Sequence, residues 1–351
     1  MTPRQRVEAA FRFEDLHPAP YTVWYDAASG DALDRWYGSP QWRSRLRDGI
    51  YRANIVWQVN EDLPGGLYRD TCGSIWKPGK PAGIVEPALK TPSLANFHLP
   101  SFAECAKRPR APLAGGSRRI LPALTFHEAP AVLAEQAKQK LTLIDYSSGP
   151  FETSWAIRGL EDFLCDAVEN EAFVESLMDL VTQRQSELLA VLLELPADGV
   201  IFSDDYGDQR GVIMGTGRWR RLVKPYIARL YAQVRAAGKL VFHHTCGSVL
   251  DIAADLADIG LDVLQSLQAE AMDIYELKRR YGRNLRLWGG LGTQRLLPFG
   301  TPEEIIAEIR RLDRELGKGG GYVFSSCKPI MSEVPPANAA AMIDELLRQK
   351  G

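Results

Sequence analysis

Two residue types that hold transition metals stand two positions apart in KLVFHHTCG (239–247), namely His244 and Cys246. A third, Cys327, ends GGGYVFSSC (319–327). Both segments are apolar runs of strand length that carry their donors at the C-terminal end. Side chains alternate along a strand, so His244 and Cys246 share one face, about 7 Å apart, while His243 points the other way. If both strands lie in one parallel sheet, Cys327 becomes a third ligand. The competing reading is core packing, because a His-x-Cys pair is short and free cysteine is a residue type found in interiors. The metal reading rests on both cysteines being strand-terminal.

A chain of 351 residues, 45% hydrophobic and 25% charged, can bury a large core as one big domain or two small ones. A formal net charge of -2 and a sequence pI of about 6.3 give no electrostatic reason to expect nucleic acid or a membrane surface as partner. The opening MTPRQRVEAAFRF lacks the apolar core of a signal peptide, and no run approaches the length of a membrane span, so a cytoplasmic protein is expected. Five cysteines at irregular spacings argue against a disulfide framework and leave thiols available for metal.

The elements that must position these donors follow in order. Thr2 and Pro3 start a first helix with apolar Val7, Ala10 and Phe11. YTVWYD (21–26) reads as a strand, residues 29–47 as helical, and NIVWQV (54–59) as the next strand. From about Leu67 to Pro122 periodicity fails, and TCGSIWKPG, AGIVEPAL and KRPRAPLAGG read as hairpin and loops over one face. Irregular structure of that length implies a binding face or lid. Beyond Glu128 strands and helices alternate: strands LTLIDY (141–146), GVIFSDD (199–205), KLVFHHTC (239–246), DVLQSL (262–267), LRLWGG (285–290) and YVFSS (322–326), with helices between them that include 217–237 and 302–316. Strict alternation means parallel strands with right-handed crossovers. The eight runs close into a (β/α)8 TIM barrel, a single domain over 1–351 with an N-terminal helix and an irregular insertion around 67–122. A doubly wound open sheet is the alternative, but GGLG (289–292) does not supply its dinucleotide turn.

Active sites of such barrels sit at the C-terminal strand ends. Asp26, Tyr146, Asp204 and Asp205, His244 and Cys246, Glu270, Gly289 and Gly290, and Cys327 all fall there. Asp204 and Asp205 could hydrogen-bond substrate or act as acid-base groups, or cap a helix. Asp26, Tyr146, Tyr206 and Trp288, together with Trp24, Tyr25 and Trp57, could line a pocket, although barrel aromatics also serve as core.

From about Asp198 onward the chain resembles the uroporphyrinogen decarboxylase-like superfamily, and within it the zinc-dependent methyltransferases linked to cobalamin. The resemblance is carried by SDDYGDQRGVIM, WRRLVKPYIARLY, AAGKLVFHHTCGSV, LQAEAMDIYELKRRYG, LWGGLGTQRLLPFGTPEEI and EVPPANAAAMID, with RQRVEAAFR at the start. It covers about half of the chain and implies a (β/α)8 barrel. It also implies zinc on His244, Cys246 and Cys327, with Glu270 as a candidate acidic ligand that yields to substrate. Where true uroporphyrinogen decarboxylases carry an arginine motif after the first strand, this chain reads VWYDAASG, which argues against porphyrinogen decarboxylation.

One imidazole and two thiolates leave zinc near zero net charge with an open fourth position, the arrangement of a catalytic centre. Such a centre holds a thiol substrate as thiolate or acts as a Lewis acid on the oxygen of a methyl ether. The expected function is therefore methyl transfer between a small molecule and a corrinoid, carried on a partner protein or free. The aromatic strand ends tilt the reading toward O-demethylation of a methoxylated aromatic onto Co(I), and methyl transfer from methylcobalamin to a thiol is the alternative direction. A metal-free decarboxylase-like enzyme and a non-catalytic tetrapyrrole- or corrinoid-binding barrel are the other readings. A homodimer is compatible with the sequence.

Overall fold

The computed structural model describes residues 1–57, 60–79, 83–106 and 121–348. Among these, strands β1 (Ile50–Ile55), β2 (Glu61–Leu63), β3 (Leu67–Arg69), β4 (Ile75–Lys77), β5 (Gly83–Glu86), β6 (Ala123–Leu124), β7 (Leu141–Ser148), β8 (Gly199–Ser203), β9 (Leu240–His244), β10 (Val263–Ser266), β11 (Arg286–Leu291) and β12 (Tyr322–Ser326) form two sheets. The large sheet runs β12-β11-β10-β9-β8-β7-β1-β6 and all its neighbours are parallel. Tyr21 and Tyr25 bridge in parallel to Phe324 and Ile330, and the Tyr21 carbonyl accepts from Gly49 N at 3.0 Å. The segment 21–25 thus stands between β12 and the base of β1, and the strands close into a (β/α)8 barrel.

That segment is a weaker stave than YTVWYD suggests. Its backbone bonds to the chain at the foot of β1 through Gly49, and higher up β1 pairs with β6 instead, Asn54 opposite Ala123. The wall therefore opens between 22–25 and β1. β1 itself begins at Ile50 and ends at Ile55, earlier than the expected 54–59, of which residues 58 and 59 lie outside those described. Polar Arg52 and Asn54 hide IYRANI from a search for apolar runs, yet Arg52 is only 9% exposed because it turns into the barrel.

The expected irregular excursion is partly regular. β2 to β5 make a small antiparallel sheet, followed by a helix at Phe102–Ala106. The KRPRAPLAGG stretch lies outside the described residues. The helix expected at 217–237 is two, Thr216–Leu222 and Lys224–Ala236, because Pro225 has no N–H to continue the ladder and its ring crowds the preceding turn. Likewise the stretch 29–47 divides into Ala27–Tyr37 and Trp42–Arg45 at Gly38, which takes the left-handed conformation with φ 67°.

Inside the barrel, Ile50, Leu141, Leu143, Ile201, Phe242, Val263 and Val323 form a buried layer that Val7 and Phe11 of the helix Pro3–Phe11 close from below. That helix starts with the expected Thr2 cap, a reciprocal capping box with Gln5, and is tied down by Arg4 gripping Asp198 through two 2.7 Å bonds. Val241, by contrast, belongs to the outer core between strands and helices. The alternation Val241 out, Phe242 in, His243 out and His244 in follows from the two-residue period. All five cysteines are free thiols. No described helix is long and apolar enough to cross a membrane.

Candidate functional site

β9 aims His244 into the barrel mouth, and the chain then leaves the strand. Cys246 N donates to Asp205 Oδ1 at 2.7 Å, which folds the loop back so that Cys246 Sγ lies 3.4 Å from His244 Nε2. The separation is half of the 7 Å expected for a continuing strand, because Cys246 sits two residues beyond the last strand residue. Gly247 makes the fold-back feasible: its φ is 75°, and a Cβ there would be driven into the Gly207 backbone. Asp205 Oδ1 is 3.9 Å from His244 Nε2. One donor atom from each of Asp205, His244 and Cys246 fits within a 4.8 Å span, the only such trio or larger group of His, Cys, Asp and Glu among the described residues.

His244 Nδ1 bonds to Gln265 Oε1 on the neighbouring β10. An amide oxygen only accepts, so Nδ1 carries the proton and Nε2 keeps its lone pair, facing Cys246 and Asp205. Burial, helped by the nearby Lys328 charge, holds the His244 pKa down at about 4. Burial and then Asp205 push the Cys246 thiol up to about 12. Lys328 Nζ lies 3.3 Å from His244 Nε2. Burial pulls its pKa down, but Cys246, Asp205 and Glu152 outweigh it and the ammonium is favoured.

Cys327 follows β12 directly and is buried, with its Sγ donating to the Leu267 carbonyl at 3.2 Å. It stands beside, not within, the converging trio. Burial first, and the Glu270 charge next, raise its pKa to about 12. Glu270 Oε1 accepts from the amides of Gln294 at 2.9 Å and Arg295 at 3.3 Å, while Oε2 is buried with no hydrogen bond.

The remaining candidates divide. Asp204 is fully buried and accepts from Phe151 N at 3.1 Å and Glu152 N at 2.6 Å, capping the helix Pro150–Arg158 from a neighbouring strand. Its carboxyl, raised well above the usual range by burial and by Glu152, holds that helix end. Asp26 caps the helix Ala27–Tyr37 through Ser29 N at 2.8 Å. Tyr206 stacks on His243 with ring centroids 4.9 Å apart, behind the site. His243 Nε2 donates to the Asp204 carbonyl at 3.1 Å and Nδ1 accepts from Tyr231 Oη at 2.7 Å, so it packs on the outer face. Tyr146 donates to the Gln185 carbonyl at 2.7 Å and lines a cavity of about 240 Å³ with Glu152, Trp57 and Trp155. Trp288 donates to Thr22 Oγ1 at 2.9 Å and walls the gap between segment 22–25 and β1. A cavity of about 480 Å³ opens over His244, lined also by Trp24, Arg52, Gln294, Lys328 and Met331.

Four side chains here carried no spacing signal in the sequence: Gln265, Lys328, Glu152 and Arg52. Lys328 lies two residues past the end of β12 and Glu152 just beyond another strand, so the strand-end rule reaches them. Glu152 is held up at about 7 by burial and by Asp205, whose amide donates to Glu152 Oε1 at 3.3 Å.

Among curated proteins, a uroporphyrinogen decarboxylase of Syntrophotalea carbinolica is 27% identical over 230 residues, 62% of each chain. The methylcobamide:CoM methyltransferase MtaA of Methanosarcina barkeri is 23% identical over 193 residues, 55% of each chain. The chain thus spans less than two thirds of the length of these relatives. A methyltransferase from Methanosarcina mazei superposes with a TM-score of 0.69 at 17% identity, over 99% of this chain and 98% of that one, and so shares the fold. The sequence signature of the family described as uroporphyrinogen decarboxylase (URO-D) matches residues 106–348, and with the closed parallel barrel this places the chain in the uroporphyrinogen decarboxylase family.

Proposed function

We propose that this protein is a zinc-dependent methyltransferase of a corrinoid system, acting on a methoxylated aromatic compound. The observation that supports it most is the meeting of His244 Nε2, Cys246 Sγ and an Asp205 oxygen under an open cavity at the barrel mouth. An imidazole, a thiol and a carboxylate within one small span are a donor set that suits zinc. His244 and Cys246 hold the ion in this reading, with Cys327 as the further thiolate and Asp205 or Glu270 as the acidic group that yields to substrate. Zinc bound there supplies a Lewis acid for the oxygen of a methyl ether.

The chain's own groups do the rest. Trp24 and Met331 give the cavity apolar walls for a ring, and Lys328 faces the zinc-binding atoms as an acid. The ether oxygen loses its methyl group to the Co(I) of a corrinoid presented at the mouth, keeps the electron pair of the broken bond, and takes a proton from Lys328 or Glu152. Methyl transfer from a corrinoid to a thiol runs the same exchange in the opposite sense.

Protein purified without chelator should contain about one zinc per chain, and Cys246→Ala and His244→Ala should each lose most of it. Cys327→Ala and Asp205→Asn decide which of the two completes the set. With reduced cobalamin and a panel of methoxylated aromatics, the zinc-loaded protein should convert Co(I) to methyl-Co(III). Methylcobalamin with thiols tests the reverse direction. Full zinc occupancy with no reaction in either direction, with free cobalamin or a corrinoid protein, would remove the methyltransferase reading.

A further inference from the structure

Arg52 is nine-tenths buried, yet most of its hydrogen-bonding capacity is unused. Its Nη2 donates to Asp145 Oδ2, while Nε and Nη1 are buried without a partner. Burying donors without partners is unfavourable, and more so on a charged group. The guanidinium lies over Trp24 at 4.9 Å and over Trp288 at 5.7 Å from the ring centroids. It is also shared by two cavities, the one of about 480 Å³ above His244 and one of about 590 Å³ in the gap between segment 22–25 and β1. Trp24 lines both as well, so a molecule gripping Arg52 can extend to His244.

We propose that Arg52 anchors a carboxylate carried by the substrate, so that the molecule accepted here is an aromatic acid rather than a neutral ring. Asp145 compensates one face of the guanidinium and leaves the other for a single monovalent anion, which matches a carboxylate better than a phosphate dianion. The flanking indoles suit a flat ring next to that carboxylate. The open barrel wall gives the reason for the space: β1 pairs with β6 above its base, which leaves a gap beside segment 22–25 that the inward-facing Arg52 lines. The identity of the reaction rests on the methyltransferase reading, but the anchor does not, and the two are tested apart.

Binding is read from tryptophan emission of the protein without added corrinoid, titrated with 4-methoxybenzoate and with 4-methoxybenzamide. The acid should quench saturably and the amide should bind at least tenfold more weakly. Arg52→Gln should lose at least tenfold in affinity for the acid and change little for the amide. Because Arg52→Gln strands Asp145, the pair Arg52→Gln with Asp145→Asn restores a neutral hydrogen-bonded contact, and it should melt like wild type while still failing to bind the acid. Inorganic phosphate at equal concentration should not displace the acid. Equal binding of acid and amide, wild-type affinity in a folded Arg52 variant, or displacement by phosphate would each overturn the anchor. Acid binding lost on Arg52 substitution, with no methyl transfer in any assay, supports the anchor and removes only the proposed reaction.

Discussion

Gln265 governs what His244 can do, because the proton it fixes on Nδ1 leaves Nε2 as the lone pair facing Cys246 and Asp205. Removing that partner frees the imidazole to rotate and to change tautomer. On the proposed zinc reading, Gln265→Ala should therefore weaken the metal about 10–100-fold, as loss of such supporting partners does, without removing a proposed ligand. Competition with a chelating dye measures it, and unchanged affinity would show that the ring is held by packing alone. His243→Gln is the control, since His243 points to the outer face and its replacement should leave metal content as in wild type. The pair His244 and Cys246 was legible because spacing and strand parity are local properties. Asp205 was read as a substrate or acid-base group and not as a neighbour of the metal pair, and Lys328 and Arg52 were assigned to neither, because each reaches the mouth from a different strand.

Among the elements, β10 and β11 show how tightly the staves approach. Gly289 has φ 131°, and a Cβ there would be driven into the Ser266 carbonyl of β10. Gly289→Ala should cost about 2–5 kcal/mol, combining backbone strain with overpacking. Gly215→Ala, with φ 76° but open space around it, carries only the conformational penalty of about 1 kcal/mol. Urea unfolding of the two variants checks the difference, and equal losses would show that the close approach is relieved by backbone movement. Gly289 and Gly290 were expected at a strand end, and the structure assigns Gly289 to strand contact and Gly292 to the space that Glu270 occupies. β1 was placed four residues late for a related reason: its interior-facing polar residue, Arg52, belongs to the open wall and breaks the apolar pattern on which a strand is recognised.

At the scale of the molecule, the open wall also sets a pH dependence. Asp48 lines the same gap, and burial, only partly offset by Lys140 at 3.6 Å, raises its pKa from 3.8 to about 6. Between those values the folded protein binds more protons than the unfolded chain, so stability falls as pH rises through that window and the loss is complete above pH 6. The difference amounts to about 3 kcal/mol at most. Asp48→Asn should flatten this part of the profile and be more stable than wild type at pH 7 by roughly 1–3 kcal/mol. Urea midpoints at pH 4, 5, 6 and 7 measure it, and parallel profiles for both proteins would rule it out.

The alternation of strands and helices beyond Glu128 was determined by the sequence alone, because the strands there are compact apolar runs and helices separate them, two of which start at the side-chain caps Asp273 and Thr301. So were the strand-terminal placement of His244 and Cys327 and the capped first helix. The convergence of Asp205 with His244 and Cys246, the position of Cys327 beside them, the helix-capping use of Asp204 and Asp26, and the buried, half-satisfied Arg52 were decided only when the barrel closed. Closure brings strand ends together that lie tens of residues apart, and no local pattern records which side chains will then share the mouth.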